Sequence, residues 1–432
     1  MVAVGGSIGT GLFLGTGAAV QIAGPGVILS YAIGALIAFA VTMALGEMSS
    51  LHPAAGSFGV YADTYLNHWA GFVSRYGYWF GVMIAVSAEL VASATYMRHW
   101  FPRTPAAAWI AVFAALLLYF NLRAVHEFGD FEYWLSLIKV VVIAAFVLIG
   151  AALLFGGKVE SHYVNDGGFM PRGPLGPLLA LSFVLFNYLG AEMVAISSGE
   201  ARSTSDIVRA TYISFGVLTF AYVCASAVLV GVVPWNVVGV AQSPFVTVFE
   251  VARVPAISHL MNFVVLTAAL SGANANLYAA ARMVYSLAES GYAPAKLAEL
   301  SSSGSPRNAL IISASGIVIA LIVEFATAQN AFLYIIGASL AGGMLAWCVA
   351  LASHVAMRKK LSREEIAALP MRAPGGAAAS VAAFAGIVLA VLSTWWVPES
   401  RITIVSAGPY LLILSVFYFL ARKKRSGNRV AA

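Results

Sequence analysis

The chain has 432 residues, of which 61% are hydrophobic and only 10% are charged. Soluble domains carry about 25% charged residues, so this composition excludes a soluble globular protein and indicates an integral membrane protein. The net charge of +6 comes from loops between apolar segments and therefore does not indicate nucleic-acid binding. Cys224 and Cys348 lie in apolar runs without ligand spacing, which argues against a disulfide or a metal site.

Long apolar runs follow one another along the whole chain. They cover residues 1–20, 27–50, 70–97, 106–122, 133–155, 175–198, 210–233, 257–288, 308–327, 331–357, 378–397 and 404–421. Most reach the roughly 20 residues that a helix needs to cross the hydrocarbon layer. A transmembrane barrel would show short alternating segments instead. The pattern predicts an all-α membrane protein with about twelve transmembrane helices.

The basic residues predict the orientation of these helices. If the N-terminus is cytoplasmic, 17 of the 24 Lys and Arg residues fall on the inner side and only six on the outer side. Cytoplasmic loops carry the excess of basic residues in membrane proteins, so both termini are expected to face the cytoplasm. No basic residue precedes Arg75, so we expect no cleavable signal peptide.

The first apolar run contains the glycine-rich stretch "VGGSIGTGLFLGTG", Val4 to Gly17. Each glycine weakens a helix interior by about 1 kcal/mol relative to alanine. Gly5 and Gly9 fit the small-xxx-small pattern that brings helices close together. Alternatively, the glycines break the helix inside the membrane, and the freed N–H and C=O groups hold a small zwitterion. The glycines alone leave both interpretations open.

The sixth run, "LSFVLFNYLGAEMVAISSGEA" (Leu181 to Ala201), is also interrupted by glycine and polar residues. Two interrupted spans at corresponding positions of two five-helix halves are typical of transporters with inverted repeats. The spacing predicts a first repeat at residues 1–155, a second at 156–357, and two further helices with a cytoplasmic tail at 358–432. This second interruption favours the helix-breaking interpretation of the glycines.

Several motifs occur in a characteristic order. They are "GGSIGTGLFLGTGAAVQIAGPG" (5–26), "ALGEMSSLHPAAGSFGVYA" (44–62), "SAELVASATYMRHWFP" (87–102), "FGDFEYWLSLIKVVVI" (128–143), "FNYLGAEMVAISSGEA" (186–201), "VVLTAALSGANANLYAAARMVYSLAESGYAP" (264–294) and "SPRNALIISA" (305–314). In these motifs the chain resembles the amino acid–polyamine–organocation (APC) superfamily, specifically its bacterial amino acid permeases. The resemblance implies twelve helices in a five-plus-five inverted repeat with broken helices 1 and 6 and two trailing helices. It also implies a carrier in the bacterial cytoplasmic membrane that imports amino acids, commonly together with protons.

The resemblance also implies roles for residues of the first span. The backbone N–H groups of Gly9, Thr10 and Gly11 would bind the carboxylate of the substrate. The carbonyl of Ser7 would accept a hydrogen bond from its α-ammonium group.

In the sixth span, the resemblance places the unwound segment at Phe186 to Gly190. The carbonyls of Phe186 and Leu189 would face the ammonium group, and the Phe186 ring would close over the substrate. Asn274 and Asn276 of the eighth span would face the same site, although hydrogen bonding between helices is an equal alternative for each.

Among the charged residues inside predicted spans, Lys139, Glu89 and Glu192 are candidates for function, since a charge within the membrane costs a few kcal/mol. Lys139 either extends to the inner surface or, as the resemblance implies, replaces the sodium ion of sodium-coupled relatives and couples proton movement to transport. Glu89 is either the partner of a buried donor or a group that accepts protons and contacts substrate. Glu192 either relays protons or caps the broken backbone of the sixth span.

Glu47, Glu200 and Arg282 lie near the predicted inner face. They could form ion pairs of a cytoplasmic gate, but anchoring at the membrane interface is the favoured interpretation for each. The chain departs from the family pattern in two places. Only four residues precede Gly5, so the first half-helix is expected to be short, and the loop at 202–206 reads "RSTSD" rather than carrying proline and lysine.

Other functional classes remain open. A channel or a membrane-embedded enzyme is disfavoured because neither a filter signature nor a grouped nucleophile and base stands out. No Walker A, HExxH or CxxC motif is present, so neither ATP nor a metal or other cofactor is expected. The expected partners are an amino acid, protons and membrane lipid. A neutral amino acid is favoured as substrate. A cationic amino acid or a polyamine, exchange instead of symport, and a sensor that binds without transport are alternatives.

Overall fold

The computed structural model describes residues 2–54, 57–123, 128–200, 203–301, 304–327 and 331–430. Within these ranges the chain forms helices joined by turns and loops, and no β-strand occurs. The prediction of an all-α protein is therefore confirmed.

The membrane helices are numbered here as spans in chain order. They are span 1 (Val2–Ser7, then Gly11–Gly15 and Thr16–Ala23), span 2 (Val27–Leu51), span 3 (His68–Arg98), span 4 (Ala106–Arg123), span 5 (Phe128–Phe155), span 6 (Leu181–Tyr188 and Met193–Ile196), span 7 (Thr204–Val232), span 8 (Pro255–Glu289), span 9 (Arg307–Ser313 and Gly316–Thr327), span 10 (Ala331–Lys360), span 11 (Gly376–Ser393) and span 12 (Ile402–Val430). Short helices at Ser57–Tyr65, Gly176–Leu179, Pro244–Val251 and Arg363–Ala367 lie in the connections.

Nine segments of the described ranges are long and apolar enough to cross a membrane, and Ala106–Leu122 and Leu181–Ile196 are shorter apolar helices. One of the nine segments, Val4–Leu51, contains two spans. The hydroxyl oxygens of Thr16 and Tyr31 lie 2.6 Å apart, whereas 15 residues of one continuous helix would separate them by about 22 Å. The chain therefore reverses at Gly24–Gly26, and the protein is multi-pass as predicted.

Span 3 lies at the centre of the protein. Its apolar window is 89% buried, whereas the window of span 12 is only 11% buried. Span 3 crosses span 10 at two small residues, Gly81 and Ser339. The helices are so close there that an added Cβ at Gly81 would lie 2.9 Å from the carbonyl oxygen of Ser339. The Ser339 hydroxyl also donates to the Gly81 carbonyl at 2.7 Å. This close crossing places span 3 against the substrate-site helices described below, with span 12 at the periphery.

Candidate functional site

Span 6 is broken, as predicted, but the break lies at residues 189–192 rather than at Phe186 to Gly190, because Phe186 and the next two residues are still helical. Its first helix ends at Tyr188, and Leu189 takes an extended conformation with φ −60° and ψ 133°. Gly190 follows with φ +106°, a conformation that glycine adopts readily and other residues rarely do. The helix resumes at Met193, so the break leaves backbone polar groups outside the regular helix pattern.

Span 1 is interrupted at the corresponding position. The helix Val2–Ser7 ends before Ile8 and Gly9, and the chain then forms a π-helical turn at Gly11–Gly15. π-Helical turns are rare and occur frequently at functional sites.

The two breaks are in contact with each other. An added Cβ at Gly190 would lie 2.9 Å from the carbonyl oxygen of Gly6 and 2.9 Å from the Cα of Ser7. The glycine of one break therefore lets the backbone of the other approach closely. The interrupted backbone segments of both spans therefore come together at one point inside the protein.

A narrow cavity of about 30 Å³ lies at this crossing. Its walls include eight of the predicted site residues, namely Ser7, Gly9, Gly11, Glu89, Phe186, Leu189, Gly190 and Asn276. The other three, Thr10, Lys139 and Glu192, are buried. Lys139 and Glu192 bond to backbone groups next to the two breaks, and the Thr10 N–H donates to Glu89.

Glu89 of span 3 reaches the break of span 1. The N–H of Thr10 donates to both carboxylate oxygens of Glu89, at 3.1 and 3.3 Å. An added Cβ on Gly9 would overlap this carboxylate, and one on Gly272 of span 8 would lie 2.7 Å from it. Two glycines therefore leave the space in which the Glu89 carboxylate sits.

Lys139 of span 5 binds on the other side of the same break. Its ammonium donates to the carbonyl of Gly5 at 2.7 Å and to the hydroxyl of Ser271 at 2.9 Å. The side chain is only 2% exposed, so the alternative in which Lys139 extends to the inner surface is wrong. The ammonium lies at the carbonyl end of the half-helix Val2–Ser7, where the helix dipole favours a positive charge.

Glu192 occupies the break of span 6. One of its carboxylate oxygens accepts from the N–H of Gly190 at 3.0 Å, which fits the interpretation that this carboxylate caps broken backbone. The carboxyl group also lies near Tyr78 and Trp347, but its second oxygen makes no hydrogen bond of acceptable geometry within the described chain.

Two of the carbonyls predicted to face the substrate ammonium already accept hydrogen bonds. The Ser7 carbonyl accepts from the Tyr222 hydroxyl at 2.6 Å, and the Phe186 carbonyl accepts from the N–H of Leu189 at 3.1 Å. Because a carbonyl oxygen has two lone pairs, the hydrogen bond from Leu189 does not by itself fill the Phe186 carbonyl.

The two asparagines of span 8 have different surroundings. The side-chain oxygen of Asn274 accepts from Asn121 of span 4 at 2.6 Å, so Asn274 joins two helices. Asn276 lines the cavity. Both alternatives had equal weight for each residue in the sequence analysis. In the structure Asn274 bonds to another helix, whereas contact of Asn276 with the substrate stays a prediction.

Sequence reasoning missed further lining residues on span 3. Tyr78, Gly81, Val82 and Ala85 line the cavity together with Glu89. They precede Glu89 by eleven, eight, seven and four residues, which is the spacing of one helix face. The helical period counted back from Glu89 would have identified them.

Asn187 of span 6 was also missed. It lines the cavity and donates from its side-chain nitrogen to the Tyr31 hydroxyl. Its side-chain oxygen is buried without a hydrogen-bond partner in the described part of the chain. Its position directly after Phe186, in the last turn of the helix before the break, was the available signal.

The sequence analysis favoured an interfacial anchor for Glu47, and the structure shows a different role. It is fully buried and accepts from Arg358 Nε at 2.8 Å and from the Ala373 N–H at 2.5 Å. It therefore joins spans 2 and 10 and the loop after span 10. The Arg282 guanidinium stacks on the Tyr278 ring, and the Glu200 side chain lies outside the described residues.

A family profile described as "Amino acid permease" matches residues 1–424 of the chain. The chain belongs to the amino acid permease family.

This amino acid permease is similar to several curated proteins over nearly its whole length. It is 35% identical to the γ-aminobutyric acid permease of Bacillus subtilis, covering 100% of this chain and 94% of the relative. It is 32% identical to the probable threonine/serine transporter YbxG of Bacillus subtilis, covering 97% of this chain and 92% of the relative. It is 33% identical to the aromatic amino acid transport protein AroP of Escherichia coli K12, covering 98% of this chain and 94% of the relative.

These matches confirm the resemblance to the APC superfamily and its fold class. Amino acid transport is the common activity in the names of these relatives. Together with the apolar helices, they make this permease a multi-pass protein of the inner membrane that handles amino acids.

Proposed function

We propose that this permease imports a neutral amino acid by proton-coupled symport. The observation that carries the proposal is the meeting of two broken helices at a narrow cavity flanked by buried charges of opposite sign. An amino acid presents a carboxylate and an ammonium, which match free N–H groups and free carbonyls, respectively.

The charges around the cavity support a neutral side chain on the substrate. Glu89 is the one carboxylate among the residues that line the described cavity, and it is already bound to the Thr10 N–H. A cationic side chain would need a further carboxylate, because an unpaired buried charge is costly. The named substrates of the relatives, γ-aminobutyric acid, threonine, serine and aromatic amino acids, also lack a cationic side chain.

Proton coupling is supported by the titratable groups at the two breaks. Glu89, Lys139 and Glu192 each contact the backbone of a break. A change of protonation at any of them would alter the hydrogen bonds that hold the site together. We infer that the repeats 1–155 and 156–357 move relative to each other to open the cavity alternately to either side. Both termini would then be cytoplasmic, as the distribution of Lys and Arg predicts.

The proposal is tested by uptake of radiolabelled amino acids into proteoliposomes, with and without an inward proton gradient. Accumulation that follows the gradient and collapses with an uncoupler is expected. Saturable exchange that ignores the gradient would identify an exchanger. Accumulation of lysine, arginine or a polyamine alone would identify a carrier of cationic substrates. Binding without flux would identify a sensor.

A further inference from the structure

We propose that Glu89 occupies the carboxylate subsite of the empty transporter and that substrate displaces it as Glu89 takes up the coupled proton. The inference rests on the proposed function and assigns its proton to one residue. It depends on the contact between Glu89 and the backbone donor of Thr10.

The first step of the argument is that both ligands need the same donor. A substrate carboxylate at the break of span 1 would require the N–H of Thr10, and this N–H donates to both oxygens of Glu89. The slot for the Glu89 carboxylate is formed by Gly9 and Gly272, where any side chain would collide with it. Glu89 is only 5% exposed, so the Thr10 N–H takes the place of the water molecules that would otherwise solvate its carboxylate.

The second step concerns the Thr10 side chain. Its hydroxyl is fully buried and lies near Glu89, but it makes no hydrogen bond of acceptable geometry within the described chain. Buried hydroxyl groups almost always have a partner. A substrate carboxylate has two oxygens and would accept from the N–H and the hydroxyl of Thr10 together, which Glu89 does not do.

The third step concerns charge. Two carboxylates at one buried site repel each other, so one of them takes a proton. When the zwitterion binds, Glu89 leaves the Thr10 N–H, takes up one proton and becomes a neutral carboxylic acid. The site gains the substrate and one proton together, while the neighbouring Lys139, Tyr96 and Tyr222 keep their protons in this proposal. Because such coupling is reciprocal, protonation of Glu89 also favours substrate binding.

The test is binding to the purified full chain in lipid nanodiscs. The twenty proteinogenic amino acids and γ-aminobutyrate are screened, and the best-bound compound is titrated calorimetrically in buffers of different ionisation enthalpy. The wild type is expected to take up about one proton on binding and to lose affinity about tenfold per pH unit at high pH. Glu89→Gln should bind without proton uptake and with an affinity independent of pH.

Glu324→Gln is the matched control, because Glu324 is also a buried membrane carboxylate but pairs with Arg98 at 3.6 Å, away from the cavity. It should behave like the wild type. Proton uptake that persists in Glu89→Gln would overturn the inference, and so would a folded Glu89→Gln protein that no longer binds, since Glu89 would then be a direct ligand of the substrate.

A second measurement covers the case in which Glu89→Gln does not fold. The amide of the best-bound amino acid lacks the carboxylate that competes with Glu89. It should bind to the wild type without proton uptake, and uptake of a proton with the amide would refute the displacement. If the wild type binds no amino acid at all, the proposed function fails and the inference fails with it. If the wild type binds an amino acid without taking up a proton, the inference fails but the proposal of amino acid transport does not.

Discussion

Replacement of Gly190 by alanine tests whether contact between the two helix breaks is required for transport. Gly190 has φ +106°, and holding an alanine in such a conformation costs about 1–3 kcal/mol. The added Cβ would also lie 2.9 Å from backbone atoms of Gly6 and Ser7, which cannot turn away as a flexible side chain would. Overpacking of this kind costs a further ~1–3 kcal/mol.

Gly168→Ala separates these two effects. Gly168 also has a positive φ, +87°, but an added Cβ would meet no atom within 4 Å. The Gly168→Ala variant should therefore lose free energy of unfolding only through the unfavourable backbone conformation, about 1–3 kcal/mol. Its position in the loop between spans 5 and 6 keeps it away from the breaks.

The assay combines thermal unfolding of detergent-solubilised protein with initial uptake rates in proteoliposomes. Gly190→Ala should unfold at a lower temperature than Gly168→Ala and should lose most of its uptake, since the Cβ pushes the two breaks apart. Gly168→Ala should transport normally. If the two variants unfold at the same temperature and transport equally well, the contact between the breaks contributes nothing and our account of the site is wrong.

Three further predictions concern buried polar side chains. Lys139→Met removes the donor to the first half-helix and should abolish gradient-driven uptake, and unaltered pH-dependent uptake would contradict its role. Arg358→Met leaves the buried Glu47 without its charged partner and should cost about 3–5 kcal/mol, visible as a lower unfolding temperature than that of wild type. Asn276→Ala should raise the apparent KM for uptake with little change in thermal stability, whereas Asn274→Ala should lower the stability and leave the KM unchanged.

The sequence predicted the membrane helices well because apolar length is a local property. Its errors lie at helix ends and interruptions. Span 7 was expected to begin at residue 210 but begins at Thr204, because the Ser203 hydroxyl accepts from the Asp206 N–H and caps the helix. The departure "RSTSD" therefore contains a helix start. Span 9 was expected to be continuous but is interrupted between Ser313 and Gly316.

The breaks were also predictable, because clustered glycines mark the one in span 1 and a glycine among polar residues marks the one in span 6. The partners of the buried groups were not. Thr10 and Glu89 are 79 residues apart in sequence, and Asn121 and Asn274 are 153 apart. Which side of a helix faces the cavity depends on its rotation about its own axis, and packing against distant helices sets that rotation. Asn274 and Asn276 are only two residues apart, yet just one lines the cavity.

The placement of Lys139 and Glu89 explains how span 1 tolerates a break without substrate. The half-helix Val2–Ser7 ends in carbonyls, which attract a cation, and the segment after it begins with N–H groups, which attract an anion. The Lys139 ammonium meets the Gly5 carbonyl and the Glu89 carboxylate meets the Thr10 N–H, so each resident charge stabilises the end that suits it. A zwitterionic amino acid carries the same two charges. Only the anionic end is contested, because the predicted carbonyl for the substrate ammonium is Ser7 and not Gly5. Under the proposed displacement, the substrate would replace Glu89 at the Thr10 N–H while Lys139 stays in place. A carboxylate that loses its donor inside the membrane would then be the group that needs the proton.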